Sequence, residues 1–239
     1  MFGDVRNEQG ERIDYTVHEA GGEGLVVLGH GVTGNKDRPF LVALAEALAA
    51  AGITTLRLSF SGNGDSEGRF EDNTISKEVT DLGSVLDVVG ARPVCFIGHS
   101  MGGAVGVLRA ATDSRIRWLV SLAGMVHTQA FAEREFGDQT PDSGLMWEEE
   151  SCPLSSTYMN DMAAIGSVVD EGAGVTVPWL LVHGTEDDVV PLQDSRDIVA
   201  RAPHARLLEL PGAGHVFSDA ATAPMIDTVV PWIREQMGA

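Results

Sequence analysis

Short, largely apolar runs recur along the chain at Leu25–Leu28, Ile53–Phe60, Val94–Ile97, Trp118–Leu122, Val177–Val182 and Arg206–Leu210. Apolar runs of this length, bounded by Gly-rich loops, read as strands buried on both faces. Between them lie helical periodicities. Phe40, Leu41, Leu44, Ala47 and Leu48 share one face of 38–51, which Gly52 closes, and Val79, Leu82, Leu86 and Val89 share one face of 75–89. Further helices are expected over 104–111, 192–202 and 224–237. Strand and helix in alternation predict an α/β fold with a mostly parallel, doubly wound sheet covered by helices on both faces. At the start of the chain, Ile13, Tyr15 and Val17 alternate within 12–18, and with Phe2–Val5 they predict a β-hairpin. The alternation stops at 124–176, which has no strand-like run but holds Phe131, Phe136, Leu145, Met146, Trp147, Tyr158 and Met162 among many acids. That is too long for an ordinary connection. Residues 1–239 are therefore expected to form one domain, with 124–176 a helical lid inserted over the sheet edge.

Open parallel sheets bind ligands beyond the carboxyl ends of their strands, and the chemically suggestive residues all lie there. The run Val94–Ile97 ends in Gly98-His99-Ser100-Met101-Gly102, and a helix-compatible segment follows at once. Strand, tight turn and helix around G-x-S-x-G make a nucleophile elbow, in which small residues two positions either side of the serine let strand and helix backbones pass closely. A serine needs a base, and the base an orienting acid. The run ending at Val182 leads into His183-Gly184-Thr185-Glu186-Asp187-Asp188, and the run ending at Leu210 leads into Pro211-Gly212-Ala213-Gly214-His215. Ser100, Asp187 and His215 are the candidate nucleophile, acid and base, with Asp188 the competing acid. The candidate oxyanion donors are the N–H groups of Met101, at a helix start, and Val32, in the Gly29-His30-Gly31-Val32 loop after Leu28. His30, His99 and His183 read as structural neighbours of these loops.

Composition narrows the class. Of 239 residues 44% are hydrophobic and 21% charged, and the formal net charge is −19. Such an acidic chain is not expected to bind nucleic acid or anionic membrane. No apolar run reaches the ~18 residues of a membrane span, and the first residues lack a signal-peptide pattern, so a cytoplasmic protein is expected. Cys95 and Cys152 sit in unrelated contexts, and the histidines do not cluster at metal-ligand spacing. No metal is expected, and a homodimer stays open.

The elbow, His30-Gly31, the loop Phe60-Ser61-Gly62-Asn63-Gly64-Asp65-Ser66-Glu67-Gly68, His183-Gly184-Thr185-Glu186-Asp187 and Gly214-His215 together resemble the α/β-hydrolase superfamily, and within it the bacterial cinnamoyl (feruloyl) esterases and serine aminopeptidase-like hydrolases. Asn63 departs from relatives that carry histidine between these glycines. The resemblance implies a serine carboxylic-ester hydrolase that works through an acyl-enzyme, without cofactor, on small to medium esters, aromatic, cinnamoyl-type acyl esters included. An aminopeptidase-like activity, with Glu148–Glu150 receiving a peptide amine, and a non-catalytic binding protein are the alternatives. Within the lid, Trp147 and Tyr158 are the expected substrate contacts.

Overall fold

A computed structural model describes residues 2–238. Its strands are β1 (Tyr15–His18), β2 (Leu25–Gly29), β3 (Thr55–Leu58), β4 (Val94–His99), β5 (Ile116–Leu122), β6 (Trp179–Gly184) and β7 (Ala205–Leu210). They form one sheet in the order β1-β3-β2-β4-β5-β6-β7. Only β1 runs antiparallel, against β3. The chain starts the parallel part at β2, winds to β3, then returns past β2 to β4. The winding direction therefore reverses between β2 and β4, which is where such sheets open a crevice at their carboxyl ends. The register there puts Gly29 beside Gly98, so the loops leaving β2 and β4 emerge side by side.

Alternate residues of β2, β4, β5 and β6 feed two cores. From β4, Val94 and Phe96 face one layer and Cys95 and Ile97 the other. The first layer holds α2 (Ile75–Val89), α3 (Met101–Ala110) and α7 (Leu192–Val199); the second holds α1 (Pro39–Ala50) and α8 (Thr222–Met237). Burial on both faces explains why the strands read as continuous apolar runs. Thr74 caps α2 by accepting from the Lys77 N–H, the expected use of a threonine at a helix start.

The N-terminal hairpin is a correction. Residues 2–13 form no strand pair; one bridge joins Arg6 and Arg12, and the Ile13 N–H donates to the Val5 carbonyl at 2.8 Å. Val5 and Ile13 are buried, so the turn is held by packing rather than by a ladder. The stretch between β5 and β6 contains α4 (Thr128–Phe136), a 3₁₀ turn at Met146–Glu148, α5 (Ser156–Ile165) and the short α6 (Val169–Gly172). Its apolar residues join the first core layer, with Phe131, Phe136, Met146, Tyr158 and Met162 all buried.

Under this segment lies an unusual buried acid. Glu78 of α2 is fully buried; its oxygens form no hydrogen bond of ordinary geometry, and Asn73 is the one side chain that eases its ionisation. Burial, with the Asp81 carboxylate added, pushes its carboxyl well above the ordinary value of 4.5. In that window the native state keeps a proton that the unfolded chain releases, so stability falls as pH rises through the raised native value. Glu78→Gln is expected to raise the thermal midpoint at pH 8, by roughly 2–4 °C for each kcal/mol relieved, and to change little near pH 4. Melting curves of both proteins across that range check it; a midpoint lowered at pH 8 would contradict it.

Candidate active site

Ser100 sits between β4 and α3 with φ 53° and ψ −119°, a sparsely populated conformation that non-glycine residues hold only when the surroundings impose it. The surroundings are tight. A Cβ on Gly98 would lie 2.0 Å from the Gly102 carbonyl oxygen, and one on Gly31 would lie 2.6 Å from Ser100 Cβ. The Ser100 N–H donates to Leu122 O at 3.0 Å, and the Ser100 carbonyl accepts from Gly103 and Met125 at 2.8 and 2.9 Å. The main chain is thus fixed on both sides while the hydroxyl, without a hydrogen-bond partner among the described residues, opens on a cavity of about 280 Å³.

The loop after β2 forms the adjoining wall. His30 is fully buried and fixes this loop: its Nδ1–H donates to Gly31 O at 2.8 Å, and its Nε2 accepts from the Phe60 N–H at 3.0 Å. Burial lowers its pKa to about 4, so it is neutral, as both hydrogen bonds require. Among the described residues, the N–H groups of Val32 and Met101 meet no protein acceptor. Both belong to residues beside Ser100, and the Met101 N–H also lies at the positive end of α3.

Across the cavity, the loops after β6 and β7 bring an imidazole to a carboxylate. His215 Nδ1–H donates to Asp187 Oδ2 at 2.9 Å and lies 3.1 Å from Oδ1. Asp187 Oδ1 also accepts from the N–H groups of Val189 and Val190 at 3.0 and 2.9 Å, and Oδ2 lies 3.2 Å from His183 Nε2. Burial alone would push this carboxyl up, but the hydrogen bonds from His183, His215 and Val190 hold it well below the usual carboxylate range. Asp188 is exposed and forms no hydrogen bond or ion pair with either residue among the described residues. His183 is buried, accepting from Ser195 Oγ at 2.8 Å and donating to Val190 O at 3.0 Å. His99 Nε2–H donates to the His215 carbonyl at 3.0 Å. Burial and the neighbouring His215 ring keep the His99 ring neutral. The three histidines read as structural from sequence thus each hold one loop of the candidate site.

A profile of the alpha/beta hydrolase family matches residues 26–228, which span all of these loops. The chain belongs to the alpha/beta hydrolase family. Est1E from Butyrivibrio proteoclasticus, solved with ferulic acid bound, superposes with a TM-score of 0.88 at 25% identity over 99% of each chain. A monoacylglycerol lipase of Mycolicibacterium smegmatis is 26% identical over 94% of this chain and 93% of its own. The bovine mitochondrial palmitoyl-protein thioesterase ABHD10 is 25% identical over 72% of this chain, a match that spans 59% of the relative's length.

In this alpha/beta hydrolase the cavity beside Ser100 is mostly apolar, and Trp147 forms part of its wall. The indole is 43% exposed, packs 4.9 Å from the Phe136 ring, and donates from Nε1 to Glu135 Oε2 at 3.1 Å. Tyr158 is not brought to the cavity. It is buried in the core with its ring 6.0 Å from that of Phe136, and its hydroxyl has no partner. Of the large apolar residues singled out in 124–176, Trp147 is the one on the cavity wall; the buried ones anchor the segment. Glu148–Glu150 are exposed and do not line the cavity. Sequence reasoning missed Arg38, Phe40, Val189 and Val216, which do. Val189 and Val216 were within reach, two residues after Asp187 and one after His215; Arg38 and Phe40 had no local signal, because it is the crossing of α1 over the elbow that brings Phe40 to His99, ring to ring at 4.8 Å. A larger cavity of about 630 Å³ lies at the opposite, amino-terminal edge of the sheet, near Trp118 and Pro178, and no histidine lines it.

No helix among the described residues is long and apolar enough to cross a membrane.

Proposed function

We propose that the protein is a serine carboxylic-ester hydrolase acting on small to medium acyl esters, aromatic acids included. The observation that carries this reading is the hydrogen-bonded Asp187–His215 pair facing the same apolar cavity as the unpartnered Ser100 hydroxyl. In this reading Ser100 Oγ attacks the ester carbonyl carbon as His215 Nε2 takes its proton. Ionised Asp187 holds His215 in the tautomer that leaves Nε2 free and stabilises the imidazolium. The carbonyl oxygen, now an oxyanion, accepts from the Val32 and Met101 N–H groups, donors of a kind worth roughly 10²–10³ in turnover each. His215 then passes its proton to the departing alcohol oxygen, leaving an acyl-Ser100. Water, deprotonated by the same imidazole, attacks that ester; the imidazolium then returns the proton to the departing Ser100 Oγ, and the acid is released.

The apolar wall around Trp147 suits an acyl chain or ring better than a peptide amine, and the lid acids invoked for an amine stand away from the cavity. The ferulic acid bound by Est1E supports aromatic acids within the range, and the thioesterase relative adds thioesters to the substrates worth offering. A panel of 4-nitrophenyl acyl esters, methyl ferulate, a palmitoyl thioester and aminoacyl anilides tests the reading: turnover of the anilides alone would overturn it.

We further propose that 124–176 is a lid that sets acyl preference through Trp147. Trp147→Ala is expected to change the ranking of acyl groups by about 10–200-fold in kcat/KM, the range for a lost apolar contact. Reactivity of Ser100 toward a small fluorophosphonate should be largely kept. An unchanged acyl ranking would place the acyl pocket elsewhere.

A further inference from the structure

The cavity wall carries one permanent charge. Arg38 lines it together with Thr33, Phe40, Ser100 and His215. One guanidinium nitrogen donates to Thr33 O at 3.0 Å, and among the described residues Arg38 forms no ion pair. Arg92, Arg117, Arg206 and Arg234 likewise form no ion pair among the described residues, but of these five arginines Arg38 alone lines this cavity. The carboxylate next to it in sequence, Asp37, is taken by Lys36 at 2.7 Å and Arg57 at 2.8 Å. Helix capping does not account for Arg38. It stands at the N-cap of α1, where no side chain caps the helix and the first turn holds no acid. Asp, Asn, Ser or Thr are favoured at that position, and a cation there opposes the helix dipole. Its bond to Thr33 O steadies the loop and leaves the other guanidinium N–H groups to meet a ligand in the cavity.

The chemistry says which part of the substrate Arg38 meets. His215 must deliver its proton to the leaving oxygen, so the leaving group departs on the His215 side of the cavity. Arg38 lines the same cavity as His215, and its charge bears on the His99 ring, which lies against that of His215. Two residues on, Phe40 packs 4.8 Å from the His99 ring, which lies 4.7 Å from the His215 ring. Trp147, the proposed acyl contact, lines the same cavity from the inserted segment. A guanidinium with unclaimed N–H donors matches carboxylate or phosphate.

We propose that Arg38 selects esters and thioesters whose leaving alcohol or thiol carries an anionic group, a carboxylate or a phosphate. This rests on the ester-hydrolase reading and names its substrate class. The acidic surface repels such substrates at long range, so a local cation is what allows an anion to dock beside His215.

The test compares butyryl esters of 3-hydroxypropanoate, 3-hydroxypropyl phosphate and the neutral 3-hydroxypropanamide. The readout is the ratio of kcat/KM for each anionic ester to that for the neutral one, which cancels any general disturbance of the oxyanion loop through Thr33. At about 0.01 M salt the ratio for at least one anion is expected to be about 5–10-fold higher in wild type than in Arg38→Gln or Arg38→Met, with Arg38→Lys between them. The larger gap tells carboxylate from phosphate. The gap should close toward 1 M salt, where the screening length falls from about 30 to about 3 Å; relief of the surface repulsion is common to all variants and does not affect it. Equal ratios in wild type and both neutral variants at low salt would overturn the assignment. Failure of wild type to hydrolyse any of the three esters would instead overturn the ester-hydrolase reading on which it rests.

Discussion

Ser100→Ala is expected to lower ester turnover by on the order of 10⁶-fold, because the residues of such a site act as a unit and nothing replaces the attacking oxygen. The protein should stay folded. Alanine retains the Cβ that already fits against Gly31, and the backbone at Ser100 is fixed by Leu122, Gly103 and Met125 through main-chain bonds that no side chain supplies. Alanine also inherits the strain of φ 53°. Ser100→Gly relieves it, and should melt higher than Ser100→Ala by roughly 2–4 °C per kcal/mol recovered. A fluorophosphonate should label wild type at Ser100 and leave both variants unlabelled. Labelling at another serine, or turnover persisting in a folded Ser100→Ala protein, would remove Ser100 from the mechanism.

How much of this was legible in the sequence depended on how local its cause is. Apolar runs such as Val94–Ile97 are buried on both faces because helices cover both sides of the sheet, so the run itself announces a strand. The limits of α2, 75–89, coincide with its periodicity because Thr74 caps one end and Gly90 stops the other. The loop ends were legible for the same reason: Ser100, Asp187 and His215 each follow an apolar strand directly, and parallel strands bring such ends to one edge. The partner of β1 was not legible: alternation suggests a hairpin with Phe2–Val5, but β1 pairs with β3, about forty residues on, and pairing at that distance leaves no local trace. Tyr158 was misjudged for a related reason. An aromatic residue in an irregular, acid-rich segment gives no sign of whether it faces substrate or core. Here α5 packs against α4, and Tyr158 and Phe136 meet in that contact, whereas the positive-φ turn at Trp147 (φ 48°) leaves the indole on the cavity wall. Arg38 is a tertiary fact of the same kind.

Asp187→Asn is expected to lower turnover by about 10⁴-fold, and Asp188→Asn to stay within about twofold of wild type. The asymmetry follows from the acceptors. Ionised Asp187 can only accept, so His215 presents Nδ1–H to it and keeps Nε2 as the base. The asparagine is nearly isosteric, and its oxygen can still accept from Val189 and Val190 as Oδ1 does now. Its amide then points at His215 and donates to Nδ1, which moves the ring proton to Nε2. In that tautomer the imidazole cannot take the Ser100 proton, although every residue is in place. Asp188 is exposed and meets neither ring, so its loss removes only one charge among many. Stability should respond as well. The Asp187 pKa is depressed below its ordinary 3.8, so its contribution is complete above that pH and is lost as pH falls through the depressed native value. Asp187→Asn should therefore melt below wild type at pH 7, and the difference should shrink as the medium is acidified below 3.8. Steady-state kinetics on one 4-nitrophenyl ester and melting curves at three pH values settle the matter. A large kinetic loss in Asp188→Asn with little in Asp187→Asn would assign the orienting role to the wrong neighbour.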